Sequence, residues 1–162
     1  MGGRRKYDSG RLWLEGESVC YASQNLSSWK LPIDEIRIVG EMTNPNGPFQ
    51  DDYFICFVQD GGGWLEASFY AEGRDSLLDA LGTRWGTPLD LHLAGSTDFA
   101  SRILWPRHLR GEPLFNFTNE TPRGVWQRLR NWVLPRTQQT LSQAASVELS
   151  TAAKTASGND EE

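Results

Sequence analysis

Trp29-Lys30-Leu31-Pro32-Ile33-Asp34-Glu35-Ile36-Arg37-Ile38-Val39-Gly40-Glu41 is the stretch whose reading decides the fold class. Apolar and polar side chains alternate through Ile36 and Ile38, the period of a half-buried strand. Pro32 and Asp34-Glu35 interrupt the pattern just before it, as a bend between two strands of one sheet does. A β-scaffold is therefore expected at the heart of the chain.

The flanking sequence extends that reading. Arg11-Leu12-Trp13-Leu14 and Ser18-Val19-Cys20-Tyr21-Ala22 have strand character, and Glu15-Gly16-Glu17 separates them like a tight hairpin turn. Thr43-Asn44-Pro45-Asn46-Gly47-Pro48 is a loop signal. Tyr53-Phe54-Ile55-Cys56-Phe57-Val58 is apolar on both faces, as in a central strand. Asp60-Gly61-Gly62-Gly63 then turns the chain into a further strand, Trp64 to Tyr70.

Beyond residue 73 the period changes. Leu77, Leu78 and Leu81 stand at helical spacing, and Gly82 suits a C-terminal cap, so the pattern predicts a short helix over Arg74–Gly82. Pro88-Leu89-Asp90-Leu91-His92-Leu93 alternates again and predicts a strand; Phe99 to Trp105 fits a strand or a helix. Residues 106–119 suggest an extended segment anchored by aromatics. Thr121-Pro122 resembles a helix start, followed by Val125, Trp126, Leu129, Trp132 and Val133 on one face, until Pro135 stops it. From Thr137 onward Ser, Thr, Ala and Gln dominate, which predicts a tail with too little apolar surface to repay ordering, apart from a frayed helical turn near 141–149. The expected organisation is a flexible stretch 1–10, one β-rich domain 11–136 with its C-terminal helix near 121–134, and a disordered tail 137–162.

Charge is unevenly distributed over the 162 residues, whose net charge is −5. Residues 1–100 carry 8 basic and 15 acidic side chains, residues 101–136 carry seven Arg against two Glu, and the remainder is acidic. The basic segment is therefore expected to dock on the acidic body or to face an acidic partner. An overall acidic chain argues against nucleic acid. No apolar run is long enough to span a membrane, and Met1 to Lys6 lacks the apolar stretch of a secretory signal. Cys20 and Cys56 form no CxxC and have no clustered histidines, as expected of buried thiols in a reducing, cytoplasmic setting.

Several antiparallel strands followed by a helix, with Leu31-Pro32-Ile33 leading into Ile36-Arg37-Ile38-Val39 and with Arg74–Gly82 as the closing helix, resemble the pleckstrin-homology-like superfold, especially its GRAM and bacterial members. The resemblance covers roughly residues 11–82. It implies an α+β fold: a mainly antiparallel sheet or bent barrel with a short helix, to which this chain adds an amphipathic C-terminal helix. Phosphoinositide-binding members carry Lys and Arg around the first hairpin; Glu15-Gly16-Glu17 here argues against that site.

The chemistry-bearing residues are few. Asp90 and His92 share a strand face and would suit a general base, although an edge histidine explains them as well. Arg107, His108 and Arg110 form a basic loop, and Arg123, Trp126, Arg128, Arg130 and Trp132 a basic amphipathic helix. Such a helix docks on its own sheet, in a partner groove or on an anionic membrane. Gly61-Gly62-Gly63 lacks the Lys-Ser/Thr of a phosphate loop, and Asp51-Asp52 reads as a solvated loop edge rather than a metal site. No catalytic residue, metal or cofactor is expected. The function expected is a non-enzymatic intracellular binding or adaptor protein recognising a protein partner through its acidic loops and the aromatic segment 99–117. The alternatives are a peripheral membrane protein using residues 121–136 and a small enzyme of unknown class.

Overall fold

Glu15-Gly16-Glu17 does reverse the chain, with Gly16 at φ 59°, and joins β1 (Arg11–Glu15) to β2 (Ser18–Ala22). A polar turn leads on to β3 (Ser28–Pro32), completing a three-stranded antiparallel sheet in the order β1-β2-β3. The computed structural model describes residues 8–47, 50–119 and 137–157. At Pro32 the chain makes a 3-10 turn, Ile33–Glu35, and enters β4 (Ile36–Thr43), so the interruption read between two strands of one sheet is the step from one sheet to the next. The second sheet adds β5 (Tyr53–Gln59), β6 (Trp64–Ser68) and β7 (Ala100–Trp105), antiparallel throughout, in the order β6-β5-β4-β7.

An all-apolar β5 needs cover on both faces, and it has it. Val39, Ile55, Phe57 and Leu104 face the first sheet and α1 (Arg74–Trp85), meeting Leu12, Tyr21, Leu31 and Leu77 in one buried cluster. Ile38, Met42, Phe54, Cys56, Val58 and Ile103 face the other way, onto Leu114, Phe115 and Ala145. A fully buried side chain such as Phe57, with no exposure, contributes about 2–3 kcal/mol. The half-buried Trp29 closes the corner between the sheets: its ring lies 5.5 Å from that of Phe57, and its Nε1 donates to the Glu66 carbonyl on the outer edge of β6 at 3.0 Å. The result is an α+β fold of antiparallel sheets that are not closed into a barrel.

Three expectations are corrected. The helix runs past Gly82 to Trp85; the cap is Gly86, at φ 62°, while Gly82 is buried against Thr87, where a Cβ would stand 3.1 Å from the carbonyl oxygen. Pro88–Leu93 is not a strand, because β7 occupies the edge of β4 beside it. The tail from 137 is not disordered through its length: β9 (Thr137–Leu141) pairs with β8 (Phe115–Asn119), and α2 (Gln143–Ser157) follows. Ser142 starts that helix by accepting the Ala145 N–H at its Oγ (3.2 Å) while its own N–H reaches the Leu114 carbonyl (2.9 Å). Ala145 and Leu149 stand four residues apart on one face of α2, Leu141 at the end of β9 joins the same cluster, and Ala145, with 0% exposure, lets the helix lie close on the sheet. The helix expected at 121–134 lies outside the described residues.

Gly73, which precedes α1, has φ 83°, and a Cβ there would stand 2.4 Å from the Leu12 carbonyl oxygen. Gly73→Ala is therefore expected to cost about 3 kcal/mol or more, backbone strain plus clash. Gly16→Ala, at positive φ with open space around it, is expected to cost about 1–2 kcal/mol. Urea unfolding midpoints of the two variants check the difference; equal losses would contradict the close approach of α1 to β1.

Candidate functional site

Along β4 the odd-numbered residues point to the first face of the central sheet, and Glu41 is among them. Its side chain has no exposure, so the carboxylate must be satisfied by the protein. The segment following α1 does this. The His92 N–H donates to both carboxylate oxygens at 3.0 Å, the Leu93 N–H to one at 3.3 Å, and the Tyr53 hydroxyl donates to the same oxygen. Bonds to an ionised acceptor are roughly twice as strong as neutral ones. Glu41 thus stands in for the strand that Pro88–Leu93 would need for a ladder. Tyr53 is held in place by its ring, stacked on Phe69 at 4.0 Å with an interplanar angle of 8°, and the Arg74 guanidinium sits 3.9 Å over the other side of that stack.

The basic loop meets the same segment. Arg110 donates from Nη2 to Asp90 at 2.9 Å, so the expected Asp90–His92 pair is divided: Asp90 goes to Arg110, and His92 is engaged through its backbone. His108 lies 2.8 Å from Glu148 of α2, and Arg107 opens the 3-10 turn Arg107–Leu109 that carries it. Arg110 and His108 therefore tie the loop to two other parts of this chain. Arg123, Trp126, Arg128, Arg130 and Trp132 lie outside the described residues. Between these elements stands Arg102, directly opposite Glu41 across the β4–β7 ladder. Its Nε is buried and has no hydrogen-bond partner among the described residues.

A second locus is the end of the central sheet where β6 finishes and β7 begins. Register places Ser68, Phe54, Met42 and Ser101 in one row across the four strands. Two residues beyond it, Tyr70 (53% exposed) and Phe99 (42%) stand at the opposite edges. Asp51, Asp52 and Asp98 lie in the loops between. Asp51 is buried and accepts from Ser9 Oγ at 3.0 Å, with its second oxygen unpartnered among the described residues; Asp52 accepts from the Tyr70 hydroxyl at 2.8 Å. Phe99 also packs 5.3 Å from the half-buried Phe117 on β8.

Other candidates fall into structural roles. Asp60–Gly62 forms a 3-10 turn between β5 and β6, with Gly61 and Gly62 at positive φ, and leads into a strand. Cys20 and Cys56 are buried free thiols on different sheets, and burial raises the pKa of both. Among the described residues no cluster of three or more His, Cys, Asp or Glu is placed to hold a metal ion, and no helix is long and apolar enough to cross a membrane. Glu41 and Arg102 were missed by the sequence reading. The signal for Glu41 was its parity with Val39, which puts a charge on an inward position. Comparison with protein-family models, curated proteins and solved structures finds no match.

Burial, and then the bond to Glu41, push the Tyr53 phenol far above its usual value. The unfolded chain ionises this group near about pH 10 while the folded protein keeps it protonated, so its contribution is complete below that pH and is lost as pH rises above it. Tyr53→Phe is expected to cost about 1 kcal/mol at neutral pH. It should also flatten the fall in stability between about pH 10 and 11.5. Urea titrations across that range measure both; an unchanged alkaline slope would contradict the burial of the phenol.

Proposed function

We propose that this protein is a non-enzymatic, cytoplasmic binding or adaptor protein, and that it recognises a protein partner at the Tyr70–Phe99 end of its central sheet. The observation that carries this reading is the pair of exposed aromatic side chains at opposite edges of one sheet end, with carboxylates between them. Three inter-strand spacings separate the edges, about 15 Å. That span suits a segment of a partner laid across the strand ends, anchored by aromatic contacts and steered by charge. The acidic surroundings favour a partner presenting Lys or Arg.

The rest of the molecule supports a scaffold rather than a reaction centre. Asp90, His92 and His108 make separate contacts, with Arg110, the Glu41 carboxylate and Glu148, instead of converging on one another. Two free thiols, both buried, suit a reducing compartment. The three strands of the first sheet, then β4, β5 and β6 of the second, then α1 support the pleckstrin-like reading of residues 11–82.

Tyr70→Ala combined with Phe99→Ala removes both anchors from exposed positions, so stability is expected to change by about 1 kcal/mol or less, apart from the hydrogen bond to Asp52. Partner association should weaken about thirtyfold or more, as for truncation of aromatic anchors. Quantitative affinity capture from native extract, comparing wild type and the folded double variant, checks this. An identical set of captured proteins at equal yield would overturn the assignment of this surface.

A further inference from the structure

Between Thr87 and Asp98 the chain lies on the first face of the central sheet without a strand ladder. Apart from the Thr87 N–H on the Gly82 carbonyl (3.0 Å) and a turn of its own (Ser96 N–H to the Leu93 carbonyl, 3.0 Å), its hydrogen bonds among the described residues are with side chains: His92 and Leu93 with Glu41, Asp98 with Thr43 Oγ1, and Asp90 with Arg110. Leu89 and Leu91 pack beneath it on the first core. The segment is thus an apolar cover fastened by a few polar contacts.

The strongest of these fastenings has a competitor in place. Arg102 is the cross-strand neighbour of Glu41, and directly opposed residues have Cβ atoms about 5 Å apart on the same face. Glu41 is nevertheless bonded to the cover and to Tyr53, while the buried Arg102 Nε has no acceptor among the described residues. An unsatisfied buried donor is costly, and an Arg–carboxylate bond is among the strongest that could relieve it. Lifting the cover removes two N–H donors from Glu41 and frees its carboxylate to take Arg102 instead.

We propose that Pro88–Asp98 is a releasable strap, fastened by Glu41, and that Arg102 is the alternative partner that lowers the cost of release. In the closed form Glu41 is satisfied and the Arg102 Nε has no acceptor among the described residues; in the open form the two satisfy each other. Opening uncovers the part of the first core that Leu89 and Leu91 cover, beside the groove lined by Leu78, Gly82 and Thr87.

Site-resolved amide hydrogen exchange on the full chain tests this. Removing the alternative partner with Arg102→Met should slow exchange at His92 and Leu93 about tenfold, the worth of one charge-assisted hydrogen bond in the open form. Arg102→Lys, which keeps a cation, should exchange near the wild-type rate. Amides of Cys56 and Phe57 in β5 report global unfolding and should not slow with the strap. Arg102→Gln is measured alongside and should also slow the strap if the charge is what matters. Exchange at His92 and Leu93 that is unchanged or faster in both Arg102→Met and Arg102→Gln, or slowed no more than at Cys56 and Phe57, would overturn the proposal.

Discussion

The first face of the central sheet is organised around one carboxylate that no water reaches. Glu41 lies in the middle of the buried run of β4, and every oxygen it carries must find a donor inside the protein. The donors come from two directions, the Tyr53 hydroxyl on the neighbouring strand and two backbone N–H groups of an irregular segment more than fifty residues later in the chain. That segment must therefore cross the sheet where it does. Its leucines complete the first core as a consequence of where its amides are held.

On the opposite face the demand is apolar rather than ionic. The β8–β9 pair meets it with Phe115, Phe117 and Leu141, and α2 approaches closely because Ala145 stands at the contact. The central sheet thus has two covers of different character, one fastened by charge and one by packing. Stability of the second cover depends on burial. Placement of the first depends on a hydrogen-bonded acid whose loss would leave two backbone donors to find water.

Most strands were legible from residue pattern alone. Alternation located β1 to β4, and the unbroken apolar run of Tyr53 to Val58 identified a strand buried on both faces. Alternation in Leu89, Leu91 and Leu93 was also genuine, since Leu89 and Leu91 do face the core. It reports where side chains point, however, and not what the backbone bonds to, so a strap held by a carboxylate looks like a strand. The tail misled for a different cause. Its composition is polar on average, but Leu141 ends β9 and Ala145 and Leu149 follow four residues apart on α2, and an average hides an apolar contact that narrow. Glu41 escapes notice because a lone charge in a strand reads as solvated unless its parity with Val39 is followed. Of the candidate residues, the sequence supplied Arg107, His108 and Arg110 as a basic loop. The partners of Arg110 and His108, Asp90 and Glu148, come from distant parts of the chain that only the fold brings together.

The most direct test of this account is the scalar coupling across the hydrogen bond between the His92 amide nitrogen and the Glu41 carboxyl carbon, measured on uniformly labelled protein at neutral pH. A resolvable coupling is expected, with the His92 amide protected from solvent. An absent coupling together with an unprotected His92 amide would contradict it, since the carboxylate would then not be the group that holds this segment on the sheet.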